Sequence, residues 1–253
     1  KSNLEIVESA ENKERKGVIA FEKVFFSYPD GDVVLKNANF VFEKGKTYAL
    51  VGPTGGGKTT TASLIARLYD PTSGTVFLDG KDIRSYTQED RSQKIGFILQ
   101  EPFLFSGTVR ENIVYGNRFY DGDKMKDLEK DLKDSGLSDL LMRFDDGLET
   151  KVGNYSSLSL GQRQLIAFIR AVLRKPEILI LDEATANIDT VTEKLLEAVL
   201  EKLPKETARV IIAHRLNTIE NADGIFFVNG GEVTEAGSME HAVEMLLHHK
   251  RTS

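Results

Sequence analysis

Short apolar runs bounded by Gly, Pro, Asp or Asn recur along the first hundred or so residues and predict strands. Val18–Phe26 is followed by a Pro29-Asp-Gly31 turn, then by Val33–Leu35 and Asn39–Phe42. Lys46–Val51 reads as a buried strand, and Thr75–Leu78 enters a tight Asp79-Gly80 hairpin. These strands lie on both sides of a helix expected over Thr60–Tyr69 and predict an antiparallel layer beside it. After Ile95–Leu99, a strand ending at Gln100, the pattern turns helical from about Gly107 to Lys175. Within that stretch Asp121–Asp134 carries charges of both signs, as a solvated helix face does. A further helix over Arg163–Arg174 is stopped by Lys175-Pro176, and Ser159 is placed to cap it. The strand texture then returns in Ile178–Leu181, Ala208–Ala213 and Ile225–Val228, the last entering an Asn229-Gly-Gly231 hairpin. Met239–His249 is amphipathic and helical in period.

Between the strand at Lys46–Val51 and the following helix stands Gly52-Pro-Thr-Gly-Gly-Gly-Lys-Thr59, which fits G-x-x-x-x-G-K-S/T. Strand, glycine loop and helix in that order make a phosphate cradle. Gly52, Gly55, Gly56 and Gly57 have no Cβ to block positive φ or close approach, so the loop can turn its N–H groups inward. The positive end of the helix adds to them. Lys58 is suited to the β- and γ-phosphates and the Thr59 hydroxyl to Mg²⁺. The cofactor-binding run extends from Thr54 through Gly55, Gly56, Gly57, Lys58 and Thr59 to Thr60.

Ile178-Leu-Ile-Leu-Asp-Glu183 ends a short all-apolar run in two carboxylates. Such a run reads as a central parallel strand, and ligands sit at the carboxyl ends of those strands. Neighbouring strand residues point to opposite faces, so Asp182 is assigned to Mg²⁺ and Glu183 to a water at the γ-phosphate. His214 ends a strand of the same texture; it is either structural or a member of the same site. Tyr28 sits at a strand end, where its ring is either a partly buried structural one or a platform for an adenine face.

Composition narrows the class. The 253 residues suit one large domain or a domain with a lobe; 40% are apolar, enough for a real core. The net charge of −6 argues against nucleic acid as the main partner. With no Cys, disulfides, thiolate zinc sites and a cysteine nucleophile are excluded. No apolar run approaches the roughly 18 residues of a membrane-spanning helix. Polar, charged Lys1–Gly17 has no apolar signal region and reads as a linker from an absent upstream segment.

Tyr28, the 52–59 loop, Gln100, Leu158-Ser-Leu-Gly-Gln162, Asp182-Glu183 and His214 stand in one order from Val18 onward. That order resembles the nucleotide-binding domain of ABC transporters: aromatic loop, Walker A, Q-loop, signature, Walker B, D-loop and H-loop. The segment Gln100–Ile113 resembles the exporter branch. The resemblance implies a P-loop α/β fold with a RecA/F1-like core, an antiparallel β subdomain and an α-helical signature subdomain at about 101–176, the domain occupying 18–253 and the linker 1–17. It implies an ATPase that takes ATP and Mg²⁺, stacks head to tail with a second nucleotide-binding domain, and meets the coupling helices of a transmembrane domain at the cytoplasmic face of a membrane. It also implies roles: Tyr28 on adenine; Gln100 on Mg²⁺ and the attacking water; Glu183 as general base; His214 on the γ-phosphate; Ser159, Gly161 and Gln162 at the nucleotide held by the partner.

Two positions depart from the family pattern. Leu160 replaces the first Gly of L-S-G-G-Q, where a side chain is expected to cost backbone freedom and room. The D-loop reads Ala186-Asn-Ile-Asp189, without the usual hydroxyl. Both suggest one half of a heterodimeric exporter in which this chain gives its own Walker motifs and Glu183 to the competent site and a weak signature to the other. A regulatory clamp that hydrolyses little is disfavoured by Glu183 and His214. A soluble ABC ATPase of DNA repair or translation is disfavoured by the acidic balance and the lack of heptads or tandem repeats.

Overall fold

The computed structural model describes residues 17–29, 31–99, 101–120, 122–153, 158–182, 189–212, 221–238 and 240–245. In chain order the elements are β1 (Ile19–Ser27), β2 (Val33–Phe42), β3 (Thr47–Val51), α1 (Lys58–Ile65), β4 (Ser73–Leu78), β5 (Lys81–Asp82), α2 (Gln88–Lys94) and β6 (Ile95–Ile98). They continue with β7 (Gly107–Thr108), α3 (Val109–Val114), α4 (Leu128–Asp134), α5 (Ser138–Leu141), β8 (Lys151–Val152), α6 (Leu160–Leu173) and β9 (Ile178–Asp182). The last are α7 (Thr190–Glu201), β10 (Ala208–Ile212), β11 (Gly224–Asn229) and β12 (Glu232–Glu235). The described residues fall into two compact units, one up to Arg91 and from Ala208 on, the other Ser92–Thr207.

In the first unit the expected antiparallel layer is the sheet β2-β1-β4-β5. The two runs read separately at Val33–Leu35 and Asn39–Phe42 are one strand, β2. The polar break between them is a bulge: Asn37 and the facing Lys23 take left-handed φ values of 50° and 49°. Asn39 satisfies that bulge, accepting from the Lys23 N–H at 2.8 Å and donating to the Asn37 carbonyl at 2.6 Å. The second sheet of this unit pairs β3 in parallel with both β10 and β11, and β12 closes on β11 as a hairpin. Aromatic rings bind the two sheets. Phe21 stacks on Phe40 at 4.3 Å, Phe42 on Tyr48 of β3 at 4.5 Å, and Phe226 of β11 meets Phe42 at 5.4 Å.

Helix α1 stops at Ile65, short of the expected Tyr69. Arg67 takes φ 52°, and the Leu68 N–H closes on the Ser63 carbonyl at 2.8 Å, a left-handed helix end made without glycine. The Arg67 guanidinium holds that turn, reaching Asp70 at 3.0 Å and the Arg84 carbonyl at 3.3 Å.

In the second unit β6 and β9 pair in parallel, with β9 buried along its whole length. The charged stretch read as one helix from Asp121 to Asp134 is α-helical only over Leu128–Asp134; Gly122–Asp127 is a tighter 3₁₀ turn that starts from Gly122 at φ 59°. Helix α6 is the spine of this unit, and its last turns carry two arginines that meet no carboxylate among the described residues. Arg170 donates to the Asn112 carbonyl at 2.8 Å, the Asn112 Oδ1 at 3.1 Å and the Phe103 carbonyl at 3.1 Å. Arg174 donates to the carbonyls of Tyr115 at 2.7 Å and Ser92 at 3.2 Å. Both therefore neutralise the carbonyl-rich C-terminal end of α3, where a cation is favoured. Burial pushes Arg170 down to about 10, so it remains cationic at neutral pH. Removing it in Arg170→Ala takes the donor from the buried Asn112 carbonyl, while the Asn112 side chain keeps its bonds to Phe105 and Thr108, and should lower stability by about 1–3 kcal/mol in urea unfolding. Arg170→Lys should recover only part, because one ammonium cannot serve three separated acceptors.

Candidate functional site

The phosphate loop is built by a backbone collision avoided. A Cβ at Gly52 would lie 2.1 Å from the Val228 carbonyl oxygen, and one at Gly56 would lie 2.6 Å from the same atom. The loop therefore runs against the end of β11 at a distance that only glycine permits. Gly55 differs: its φ is 77° and nothing lies within 4 Å of where a side chain would begin. Gly57, at φ 110°, stands as the N-cap of α1 without a side-chain cap, and the first turn of α1 holds no acid. The N–H groups at the head of this helix are thus neither capped nor neutralised, the condition under which a helix start receives anions.

Lys58 lies at that head, 5% exposed. Its Nζ donates to the carbonyls of Gly52 at 2.8 Å and Pro53 at 2.9 Å, while the Gly56 N–H closes on Pro53 at 3.1 Å. Loop carbonyls are thereby turned toward an ammonium. Thr54 and Thr59 are exposed. Thr61 back-bonds to the Gly57 carbonyl at 2.8 Å, a role outside the expected set.

Tyr28 is brought to the same helix. Its hydroxyl lies 3.1 Å from the Oγ1 of Thr60, and its ring meets Phe26 edge-on at 4.9 Å and Tyr69 edge-on at 5.3 Å. Thr60 is buried and turned to Tyr28.

In the second unit Asp182 closes β9, 8% exposed. Ser159 caps α6 in a reciprocal box: its hydroxyl accepts from the Gln162 N–H at 3.1 Å, and the Gln162 side chain accepts from the Ser159 N–H at 3.0 Å. The Gln162 amide also donates to the Arg143 carbonyl at 2.9 Å. Asp189 caps α7, accepting from the N–H of Val191 and Thr192 at 3.1 Å and from the Thr192 hydroxyl at 2.6 Å. These bonds hold its carboxyl below the ordinary value, the Thr192 hydroxyl contributing most. The Arg143 guanidinium stands 3.9 Å from Asp189, so one residue joins the two caps. Gln100, Glu183 and His214 lie outside the described residues.

The sequence profile of the ABC transporter family matches residues 35–186. The chain belongs to that family. Among curated relatives, an ABC transporter ATP-binding protein of Bacillus subtilis, YfiC, is 44% identical over 228 residues, 90% of this chain and 37% of its own length. A probable multidrug resistance ABC transporter ATP-binding/permease protein of the same organism is 40% identical over 235 residues, 92% of this chain and 34% of its own. Multidrug resistance protein 1 of Entamoeba histolytica is 42% identical over 235 residues, 92% of this chain and 18% of its own. The chain thus spans little more than a third of these relatives, or less. Family members hydrolyse ATP, and this chain is an ABC-type ATPase domain with a P-loop α/β fold. Among the described residues no helix is long and apolar enough to cross a membrane.

Within that family the departure at Leu160 takes a different meaning from the one expected. Leu160 is the first residue of α6 and has no positive φ, so the position demands no glycine freedom. What the substitution changes is the partly exposed apolar side chain beside Ser159. Arg143 and Tyr69 were not singled out in the sequence, because neither falls in a recognisable motif; each is found only through its contacts.

Two glycines separate fold from ligand. Gly52→Ala, forced onto the Val228 carbonyl, should cost at least about 2 kcal/mol in urea unfolding. Gly55→Ala should cost only about 1–2 kcal/mol of left-handed strain yet lose most ATP binding in calorimetric titration, since its methyl enters the open cradle. The depressed Asp189 carboxyl supplies a pH test. Its contribution is complete above the ordinary carboxylate value of roughly 4 and disappears as pH falls through its lower folded value. The difference in melting temperature between native chain and Asp189→Ala should therefore be full at pH 7 and shrink in strong acid to what a neutral carboxyl keeps as a cap.

Proposed function

We propose that this ATPase domain powers export of a substrate across a membrane, binding ATP with Mg²⁺ and closing head to tail on a second nucleotide-binding domain. The main support is the arrangement at Lys58, where an uncapped helix start, a glycine cradle and a buried ammonium coincide. The multidrug names of two relatives and the exporter-like Gln100–Ile113 segment support the direction. The partners are then the coupling helices of a transmembrane domain and a second, non-identical domain, with no role for nucleic acid, at the cytoplasmic face of the membrane.

The donor set suits the ligands. Among the described residues there is no cluster of three or more His, Asp or Glu that would cage a metal by itself. Thr59 and Asp182, with Gln100, are instead hard oxygen ligands of the kind that share Mg²⁺ with phosphate oxygens. Bound there, Mg²⁺ would neutralise charge on the phosphates. Lys58 exchanges its loop carbonyls for phosphate oxygens, and the N–H groups of Gly55, Gly57 and Thr59 complete the cradle, with Gly56 exchanging its bond to the Pro53 carbonyl for one to phosphate. Thr54 borders the cradle, Tyr28 takes the base, and Thr60 holds the Tyr28 hydroxyl. Glu183 removes the proton of the attacking water as its oxygen bonds to the γ-phosphorus and the bond to the bridging oxygen breaks. Gln100 orients that water, and His214 donates to the γ-phosphate.

The signature serves the nucleotide of the partner. The Ser159 hydroxyl accepts from Gln162 and keeps its own proton to donate, and the Gly161 N–H belongs to the open first turn. Gln162, with its amide engaged at Ser159 and Arg143, positions Ser159. The Leu160 side chain and the hydroxyl-free Ala186-Asn-Ile-Asp189 support asymmetry between the two sites.

Glu183→Gln tests the proposal. It should bind ATP at native affinity while hydrolysis falls about a hundredfold or more. With ATP and Mg²⁺, light scattering should show it monomeric alone; a clear ATP-dependent homodimer would replace the non-identical partner by a second copy, and undiminished hydrolysis would remove Glu183 as the base.

A further inference from the structure

Tyr28 is held from three sides. Its hydroxyl meets Thr60 Oγ1 at 3.1 Å; Phe26 meets its ring at 4.9 Å and 84°; Tyr69 meets it at 5.3 Å and 89°. Phe26 and Tyr69 also contact each other at 5.6 Å, so the three rings close a triangle. Phe26 is buried and belongs to the core of the antiparallel layer. Tyr69 is not core: it is 45% exposed and stands beyond the end of α1. It is returned toward Tyr28 by the left-handed turn at Arg67, which Asp70 and the Arg84 carbonyl fix in place. An ordered turn thus delivers a large, half-exposed ring onto one side of Tyr28, where edge-on pairing is the favoured geometry.

We propose that Tyr69 is a positioning residue for ATP binding: it fixes the Tyr28 ring in the orientation that receives the base. The inference rests on Tyr28 being the base platform. A tyrosine at a strand end with 36% exposure would otherwise lose side-chain freedom when a base stacks on it. Tyr69 and Thr60 remove that freedom beforehand, one at the ring and one at the hydroxyl, so the stacked state needs less ordering. Because the contact is through the ring, phenylalanine at 69 should serve and alanine should not.

The test uses the 253-residue chain and two ligands, ATP and inorganic tripolyphosphate, which shares the phosphates and lacks the base. Tyr69→Ala should weaken ATP about three- to tenfold, the range that an aromatic pair of about 0.5–1.5 kcal/mol supplies, and leave tripolyphosphate affinity unchanged. In turnover with the second nucleotide-binding domain present, the loss should appear in KM, with kcat retained. Tyr69→Phe should restore native ATP affinity. In the Tyr28→Ala background, Tyr69→Ala should add nothing. Equal weakening of both ligands, or no weakening of ATP while Tyr28→Ala weakens it, overturns the role of Tyr69. If Tyr28→Ala itself leaves ATP affinity unchanged, the base platform fails and the inference falls with it.

Discussion

One close approach, the phosphate loop against the carbonyl of Val228, governs the nucleotide end of the first unit. It removes side chains at 52 and 56 and sets the path of the backbone between β3 and α1. On that path the carbonyls of Gly52 and Pro53 point to Lys58, and the helix head opens with its N–H groups uncapped. The acceptors of the loop are thus turned to the ammonium before any ligand arrives, and of its donors the Gly56 N–H is held by the Pro53 carbonyl. A preformed arrangement needs little reorganisation when charge develops on the phosphates. The Val228 strand is itself secured from the far side, where Ala49, Val51, Ile225, Phe227, Ala236 and Ala242 form one apolar cluster.

Helix α1 could not hold this geometry alone. Eight residues with three consecutive threonines make a poor isolated helix. Its threonines are used as anchors: Thr61 ties the first turn to Gly57, and Thr60 ties it to Tyr28 on the antiparallel layer. The layer in turn is fixed to β3 and β11 by the packed rings of Phe40, Phe42, Tyr48 and Phe226. The aromatic core thereby sets where Tyr28 stands relative to the loop, a distance relation between segments well separated in sequence.

Much of this was legible beforehand for a physical reason. Buried parallel strands such as β3 and β9 are continuous apolar runs, and the glycine loop is constrained so tightly that few residues can substitute. The Ser159 cap was legible because capping depends on neighbours in sequence. What escaped depends on distant contacts or on single dihedrals. The break in β2 was hidden because a bulge looks like a loop, and the end of α1 because Arg67 takes a conformation that sequence assigns to glycine. Helix α7 gives a weak signal in the sequence although Asp189 is a strong cap, since its outward face is charged and its buried face narrow. At Leu160 only the expected cost in backbone freedom is overturned, because the position is the first turn of a helix and not a loop.

That helix gives the second unit its mechanical character. At its start Ser159 and Gln162 lock into each other and into Arg143; at its end Arg170 and Arg174 grip the carbonyls that finish α3. About 21 Å separates the ends of a helix of this length. Both grips consist of charge-assisted or reciprocal hydrogen bonds to backbone, which have directional preference and little slack. A hydrophobic contact tolerates sliding; a guanidinium distributed over three acceptors does not. Helix α3 and the Ser159 cap are therefore tied to the two ends of one helix by directional bonds. The absence of a carboxylate partner for Arg170 among the described residues strengthens that tie, because no alternative ion pair competes for its donors.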